Sequence, residues 1–226
     1  MSDSPEDDQF RRFRESAEPT LKEFARSALP SVTKTLSGGT WHPYGFAIWY
    51  LHTVPQLGKL RLHVWPDENR KTRPWGPRIH RHGWHLASLV LTGTYRDVLY
   101  SDSAEHPGPG DWRPVAPYRV EVLPGNKRRI TPEDGTLYIR QEQDREVDAS
   151  DMHYIPAGKF HETLIPSDEF VATLVLLGHE QGVGSSAVED QRLGPRVHQR
   201  SSLADSEAER ILDRLQARLR ASRPTR

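Results

Sequence analysis

Two short histidine-containing stretches constrain the fold of this chain more than any other feature. His80 and His82 are two residues apart, so in an extended strand both imidazoles leave the same face and can share one ion. About eighty residues later His161 follows a Pro-x-Gly turn, as expected if a later strand folds back beside the first. Neutral imidazole is the commonest metal ligand in proteins. The spacing therefore predicts a metal held by His80, His82 and His161, with coordination positions left open for water, oxygen or substrate.

The central part of the chain has the composition and spacing of a β-barrel. Aromatic and β-branched residues recur in short runs, and the 226 residues include 18 Pro and 16 Gly, which suit the turns between such runs. Besides the histidine strand, the predicted strands are 46–52, 59–65, 88–91, 95–100, 118–123, 137–141, 153–155, 161–165 and 170–177. Strands at this spacing favour a sandwich or closed barrel over a helical bundle.

Helical patterns lie on both sides of the barrel region. Apolar residues at helical spacing over 10–29, interrupted at Pro19, predict two short helices, and a one-sided stripe over 208–219 predicts an amphipathic helix. The predicted units are an N-terminal helical extension (1–37), a barrel (38–180), and a C-terminal linker with the amphipathic helix (181–226). We expect the last helix either to pack on the barrel or to mediate a homodimer.

The two histidine stretches resemble the two characteristic motifs of the cupin superfamily. The first family motif is a His-x-His pair, a Glu and then a Gly, and the second is a Gly-Asp pair, a Pro-x-Gly turn and a His. The matching residues are His80, His82 and Gly93 for the first motif, and Asp151, Pro156, Gly158 and His161 for the second. The resemblance implies a mainly β fold, a cupin-type double-stranded β-helix or jelly-roll barrel with short N-terminal and C-terminal helices.

The chain departs from the cupin motifs at three positions. Leu86 stands where the family usually has a Glu ligand, Ser150 where it has Gly, and Ile165 where it often has Asn. A cupin with three histidines and no Glu is most similar to the thiol dioxygenase branch, whose best known member is cysteine dioxygenase. The likeness spans roughly forty residues around the first motif. It implies a mononuclear non-haem iron(II) enzyme that uses dioxygen.

Cysteine itself is not inferred to be the substrate. In the thiol dioxygenases three residues separate the His-x-His pair from the next His, whereas only Gly83 and Trp84 do so here. Where that branch has an arginine for the amino-acid carboxylate, this chain has Tyr50 and His52 in the neighbourhood, and it has no cysteine to crosslink to a tyrosine. We expect a small-molecule substrate.

Three further residues are candidates to orient that substrate: His85, Tyr50 and Arg61. His85 is either a ligand or a partner of one, or it packs at the mouth of the strand. Arg61 alternates with apolar residues, and because barrel interiors are mainly apolar we expect it to face water. His153 is either an acid–base group or part of the barrel wall and is left outside the catalytic set. The charged loop 66–77 is expected to form the rim of a pocket.

The pattern of residues does not select one metal or one reaction. Three histidines suit iron(II), zinc, nickel, copper or manganese. The family resemblance favours iron(II), Fe(2+), and a dioxygenase that brings O2 to a small molecule. The alternatives are a non-oxidative isomerase, cyclase or lyase that uses a metal such as Zn(2+), Ni(2+) or Mn(2+) as a Lewis acid, and a metabolite-binding cupin without catalysis.

Composition narrows the range of partners. The chain has 31 basic and 31 acidic residues and no helix-turn-helix pattern at either end, so nucleic acid is not an expected partner. No segment approaches the ~20 consecutive apolar residues that span a bilayer, so a membrane is not expected either. The absence of cysteine excludes disulfides and thiolate ligands and fits a cytoplasmic protein.

Overall fold

Three helices and fourteen strands form the described part of the chain, which is residues 5–68, 70 and 77–221 of a computed structural model. The helices are α1 (Pro5–Ser27), α2 (Leu29–Val32) and α3 (Asp205–Ala221). The strands are β1 (Thr40–Trp41), β2 (Ala47–Val54), β3 (Gly58–Trp65), β4 (Ile79–Arg81), β5 (Trp84–Thr92), β6 (Tyr95–Ser103), β7 (Arg113–Leu123), β8 (Lys127–Pro132), β9 (Leu137–Val147), β10 (Met152–Ile155), β11 (Phe160–Leu164), β12 (Val171–Glu180), β13 (Ser186–Glu189) and β14 (Arg196–Gln199). Most of the predicted pocket rim, 66–77, lies outside the described residues.

The strands form two antiparallel sheets that enclose a barrel. Four strands of the first sheet run in the order β3-β12-β5-β10, and four strands of the second run in the order β4-β11-β6-β9. Along the chain these strands alternate between the sheets except at the step from β6 to β9, so neighbours in a sheet are distant in sequence. This arrangement is a jelly roll, the barrel type that cupins share. The predicted fold class, mainly β with helices at both ends, is confirmed.

Six further strands extend the two sheets. β1 and β2 continue the first sheet beyond β3, while β7, β8, β13 and β14 extend the second. β13 pairs with both β4 and β7, and β14 pairs with β8. Both strands lie within 181–226, where a linker and a helix were the sequence expectation. The last part of the chain therefore adds two strands to the second sheet before α3 begins.

The N-terminal region forms one long helix rather than the two short ones predicted. α1 continues through Pro19, and Ala17 and Leu21 on one of its faces are buried completely. Burial of that face outweighs the single backbone hydrogen bond that a proline removes inside a helix. The hydroxyl of Tyr154 donates to the Glu18 carboxylate at 2.8 Å and fastens the helix to β10. Among the described helices, none combines the length and apolar character that a membrane span requires.

The first sheet is covered on both faces. Leu60, Leu62 and Val64 of β3 share one apolar core with side chains of α1 and α3, so this face of the strand points outward to the helices. Trp65, of the opposite parity, belongs to a second core that lies between the sheets with Tyr95 of β6. The helices thus provide an apolar cover for the outer face.

The remaining face of β3 lines the barrel. Side chains alternate along a strand, so Arg61 and His63 share the inner face with Trp65. The ring of His63 lies 4.9 Å from that of Phe46, a member of the core between the sheets. The expectation that Arg61 faces water is therefore wrong: the apolar face of β3 packs under the helices, and the polar face turns inward.

Candidate metal centre

Two strands and a turn bring the three predicted ligands together. β4 pairs with β11 so that His80 stands directly opposite His161, and His82 follows immediately after β4. The N–H of Gly158, in the Pro-x-Gly turn, donates to the carbonyl of His82 at 2.8 Å. Gly158 has φ +78°, a conformation that glycine adopts without steric strain. The turn thus docks the second histidine stretch onto the first.

The three imidazole rings form one cluster. Their centroids lie 4.8 Å apart for His80 and His82, 4.5 Å apart for His80 and His161, and 5.2 Å apart for His82 and His161. One nitrogen from each ring lies within 4.8 Å of the other two. Tetrahedral zinc with bonds of ~2.0–2.1 Å places its ligand atoms ~3.4 Å apart. Modest rotations of the rings therefore bring these nitrogens to the spacing of a bound ion.

Backbone carbonyls orient two of the rings. Nδ1 of His80 lies 2.8 Å from the carbonyl oxygen of Arg78, and Nδ1 of His161 lies 3.1 Å from that of Lys159. A carbonyl only accepts hydrogen bonds, so each Nδ1 carries the proton and each Nε2 keeps its lone pair. Metal-binding histidines are commonly fixed in this way. His82 is held differently, by stacking on Trp84 at 5.0 Å between centroids and 7° between planes.

The surroundings keep these imidazoles neutral. Burial lowers the pKa of His80, and it lowers the pKa values of His82 and His161 well below their usual range. The charge of His80 adds to the effect of burial on the pKa values of His82 and His161, because neighbouring imidazolium groups repel. Metal binding requires neutral imidazole, so the donor set fits a divalent ion at neutral pH. His161 is buried, while His80 and His82 are half-exposed and leave the centre open on one side.

His85, predicted near the metal, lies on the other face of its strand. Its ring packs 5.1 Å from Phe10 and 5.6 Å from Phe13, both on α1, and only 6% of the residue is exposed. Its Nδ1 accepts a hydrogen bond of 2.9 Å from the N–H of Ala157. Continuing the alternation from His82 through Trp84 places His85 on the opposite face. The structure therefore gives His85 a packing position between β5 and α1 and not a place in the histidine cluster.

The other two predicted substrate-orienting residues, Tyr50 and Arg61, stand opposite each other in register and share one face of the sheet, but they differ in exposure. Tyr50 is 55% exposed, and its hydroxyl lies 2.6 Å from Oγ1 of Thr53 at the surface. Arg61, paired with Tyr50 in register on the neighbouring strand, lies on the inner face and is close enough for its charge to lower the pKa of His82. Arg61 is half-buried and is the better placed of the two to act inside the barrel.

Three buried polar residues, which the sequence analysis did not include among the site residues, lie beside the metal histidines. Nε2 of His153 lies 2.8 Å from the Asp97 carboxylate, although the ring is not aligned for a linear hydrogen bond, and the hydroxyl of Tyr95 lies 3.0 Å from Nδ1 of His153. All three side chains are buried. The charge of Asp97 raises the pKa of His80, opposing the effect of burial. An Asp in the mainly apolar run 95–100 was the sequence signal for this group.

More residues reach the same region from the start of the barrel. The ring of His42 stacks on Phe46 at 4.3 Å, and the ring of Tyr44 lies 5.4 Å from His80. The Tyr44 hydroxyl donates to the carbonyl of Pro77. Burial lowers the pKa of His42 well below its usual range and raises that of Tyr44. No spacing in the sequence linked these residues to the metal motifs.

The comparisons with known proteins add little to this geometry. No protein-family model and no curated protein matches the chain. Among solved structures, the crystal structure of DMSP lyase DddQ from Ruegeria pomeroyi DSS-3 is similar, with 13% sequence identity and a TM-score of 0.31. The match covers 67% of this chain and 50% of that one, so the chain spans about half the length of that protein. The case for a metal centre is the arrangement of its own three histidines.

Proposed function

We propose that the protein is a mononuclear metal-dependent cupin enzyme that acts on a small molecule. The observation that carries this proposal is the cluster of His80, His82 and His161, three imidazoles from two paired strands with their potential ligand nitrogens within 4.8 Å. Metal-binding histidines commonly donate their second ring nitrogen to a carbonyl or carboxylate, and backbone carbonyls fix two of these three rings in that way.

The reaction we propose first is that of a non-haem iron(II) dioxygenase. The resemblance of the two histidine stretches to the thiol dioxygenase branch supports iron, and the all-histidine ligand set lacks the Glu of most cupins. A divalent ion held here would supply Lewis acidity and open positions at which a substrate heteroatom and dioxygen meet.

The side chains around the centre have separate tasks in this proposal. The carbonyls of Arg78 and Lys159 hold two ligand rings in the required tautomer. The hydroxyl of Tyr95 lies 3.0 Å from Nδ1 of His153, whose Nε2 lies 2.8 Å from the Asp97 carboxylate, so three buried polar groups stand in a row beside the centre. The stacked pair of His82 and Trp84 limits the rotation of one ligand.

A non-oxidative reaction is the second candidate. Three histidines without a carboxylate are also the ligand set of catalytic zinc in carbonic anhydrase, where the ion acidifies a bound water. An isomerase, cyclase or lyase of this kind works with zinc and without dioxygen. A metabolite-binding protein without turnover is the third possibility, and it differs from both in showing ligand binding alone.

Metal analysis of the full-length protein, purified without added metal and again after loading with iron(II) or zinc, tests the proposal. We expect about one ion per chain in the parent protein and loss of that ion in His161→Ala. The matched control is His179→Ala, which removes an exposed histidine and should leave the metal content unchanged. Equal and negligible metal in all three proteins, even after loading, would overturn the proposal.

The loaded protein then distinguishes the reactions. Oxygen uptake with a panel of thiols, amines and organic acids, dependent on iron and lost in His161→Ala, would support the dioxygenase. Substrate conversion by the zinc form under anaerobic conditions would instead favour the non-oxidative enzyme. Tight binding of a compound with no product in either form would identify a binding protein and reject both enzymatic readings.

A further inference from the structure

Three arginines converge on the inner side of the barrel near the metal histidines. Arg61 projects from the inner face of β3, Arg128 lies on β8, and Arg200 follows directly after β14. None of the three was linked to another by spacing in the sequence. They come from strands that are far apart along the chain, and only the fold brings them together.

Backbone pairing fixes two of these arginines relative to each other. In the ladder between β14 and β8, His198 stands opposite Arg128, and the N–H of Arg200 donates to the carbonyl of Asn126 at 3.1 Å. Arg200 comes two residues after His198, so its side chain lies on the same face of the sheet as that of Arg128. Such diagonal neighbours have their side chains roughly 7–8 Å apart at the strand and within reach of each other at their ends.

The same segment is joined to the first sheet. The N–H of Trp41 donates to the carbonyl of Ser201 at 2.8 Å, and Thr40 forms a β-bridge with Ser202. Arg200 therefore lies next to the end of β1, where His42 begins the turn into β2. The segment after β14 thus joins the first sheet at β1, which pairs with β2, and β2 pairs with β3, the strand of Arg61.

The charges of the three arginines act on one another. Burial, followed by the charges of Arg128 and Arg61, lowers the pKa of Arg200 to about 10. Burial and the charge of Arg128 also lower the pKa of Arg61. Each guanidinium is thus partly buried near other cations, which is an unfavourable place for a positive charge.

No carboxylate among the described residues compensates these cations. Other arginines of the second sheet are paired, such as Arg96 with Asp144, Arg113 with Asp190, and Arg196 with Glu189. Within the described ranges, Arg61, Arg128 and Arg200 form no ion pair, and Nε of Arg200 and Nε2 of His63 are buried without a hydrogen-bond partner. Partly buried cations without an acidic partner are unfavourable, and a bound anion would compensate them.

The arginine group adjoins the metal histidines. On the same face of β3 as Arg61, the ring of His63 lies 4.9 Å from that of Phe46, on which His42 stacks. The ring of His42 lies 4.7 Å from that of Tyr44, which in turn lies 5.4 Å from the ring of His80. Guanidinium groups bind carboxylates and phosphates with two parallel hydrogen bonds, which also fixes the direction of the bound molecule. An anion held by the arginines would therefore have its remaining atoms directed along the barrel interior.

We propose that Arg61, Arg128 and Arg200 bind the carboxylate or phosphate of a small organic acid, whose reacting part lies at the three histidines. This inference rests on the proposed function for the identity of the reacting centre, whereas the anion site itself rests on the arginines alone. Arg61 was predicted to orient the substrate, and this inference adds Arg128 and Arg200 to that role. It also identifies the substrate as an organic acid with a carboxylate or phosphate group.

Binding of two simple anions to the full-length protein tests the inference. The probes are succinate and inorganic phosphate, measured by calorimetry at low ionic strength on protein freed of metal with a chelator, so that the metal cannot bind them. We expect saturable binding that weakens as sodium chloride is added, because exposed and half-exposed charges are screened. The probe that binds with the higher affinity shows whether the site prefers a carboxylate or a phosphate.

Variants locate the site. Arg200→Met should weaken binding of the preferred probe by about tenfold or more, as expected for loss of one charge-assisted hydrogen-bonding group. Arg200→Lys should retain part of the affinity because it keeps the charge. The matched control is Arg129→Met, since Arg129 is the next residue on β8, is exposed, and points to the other face. If Arg200→Met does not fold, as judged by circular dichroism, Arg61→Met gives the same test from a different strand.

The outcomes separate this inference from the proposed function. Anion binding that persists in His161→Ala, and is lost in Arg200→Met or Arg61→Met, would establish the arginine site whether or not the protein loads metal. Absence of binding for both probes, or equal binding in Arg200→Met and Arg129→Met, would overturn the arginine site. Stoichiometric metal in that same preparation before chelation would leave the metal enzyme standing.

Discussion

The carboxylate of Asp97 lies 2.8 Å from Nε2 of His153, and this pair connects the two sheets across the barrel interior. Asp97 belongs to β6 of the second sheet, and His153 belongs to β10 of the first. Exposed fractions of 0% and 2% mean that neither side chain is solvated by water. Tyr95, also on β6, places its hydroxyl 3.0 Å from the second nitrogen of His153. A buried pair of this kind is destabilising to break, because the partner that remains is left uncompensated.

We therefore expect Asp97→Ala to lower the free energy of unfolding by ~3–5 kcal/mol. Urea unfolding followed by tryptophan fluorescence measures the change. The matched control is Asp144→Ala, which removes the exposed partner of Arg96 from β9 and should cost less than ~1 kcal/mol. Similar losses in the two variants would show that the buried pair does not stabilise the fold. The double variant Asp97→Leu/His153→Leu should recover part of the loss, since it removes both polar groups.

The second prediction concerns His85, which sequence placed among the substrate-orienting residues. His85→Leu removes the acceptor for the N–H of Ala157 and should lower the free energy of unfolding by ~1–3 kcal/mol, with the metal content unchanged. His82→Leu should lose the metal. Metal analysis beside urea unfolding distinguishes the two variants. If His85→Leu loses metal to the same extent as His82→Leu, His85 takes part in metal binding and the packing role is wrong.

The metal histidines could be predicted because the relevant information is local. The two-residue spacing of His80 and His82 fixes a common face in any extended strand. The Pro-x-Gly turn before His161 gives the second strand its starting point, and the structure shows why: Gly158 takes a left-handed conformation and donates to the carbonyl of His82. Pattern and turn chemistry therefore agree with the fold at these residues.

The faces of the other strands could not be predicted in the same way. Alternation shows that Arg61 and Leu62 lie on opposite faces, but it does not show which face lines the barrel. Here the first sheet has an apolar core on each side, and α1 and α3 cover the outer one. Sequence reasoning assumed that one apolar face means the interior, and so it placed Arg61 in water. The helices α1 and α3, which are distant in sequence from β3, cover its apolar face and so determine that Arg61 points inward.

The approach of the arginines to one another was still harder to predict from the sequence than the faces of the strands. Arg128 lies on β8 and Arg200 follows directly after β14, and their approach depends on the pairing of these two strands. The segment that contains β14 has no strong alternation of apolar and polar residues, so it was predicted as a linker. Contacts made through such long-range pairing leave no pattern in a single sequence.

The third prediction concerns Gly93, the glycine of the first motif. Gly93 has φ +80°, and a Cβ built on it would lie 2.4 Å from the carbonyl oxygen of Phe170. Gly93→Ala therefore combines an unfavourable backbone conformation with a clash against a rigid backbone atom, and it should lower the free energy of unfolding by at least ~1–3 kcal/mol. Thermal unfolding measures the loss. Gly125→Ala is the control, because its φ is +71° with no atom within 4 Å of the added Cβ, so only the conformational part of the loss should remain.

The last prediction is that the stability of the metal-free protein falls as the pH is lowered below ~6.5. Burial lowers the pKa values of five histidines in and around the metal centre. They are His42, His63, His80, His82 and His161. In the unfolded chain these imidazoles take up protons near their ordinary pKa of ~6.5, whereas the folded protein keeps them neutral to lower pH. Below that pH the unfolded state binds more protons, so acid favours unfolding; above it the histidines contribute no pH dependence.

The free energy of unfolding in urea, measured between pH 8 and pH 5 after removal of metal, should therefore be level at high pH and decline below ~6.5. His63→Gln should make the decline shallower, because one proton fewer is taken up on unfolding. Leu62→Val, on the opposite face of β3, should lower stability at every pH without altering the slope. An unchanged slope in His63→Gln would show that His63 is protonated alike in the folded and unfolded chain. A stability that rises toward pH 5 would contradict the assignment for the whole group, since it requires folded imidazoles that bind protons more tightly than unfolded ones.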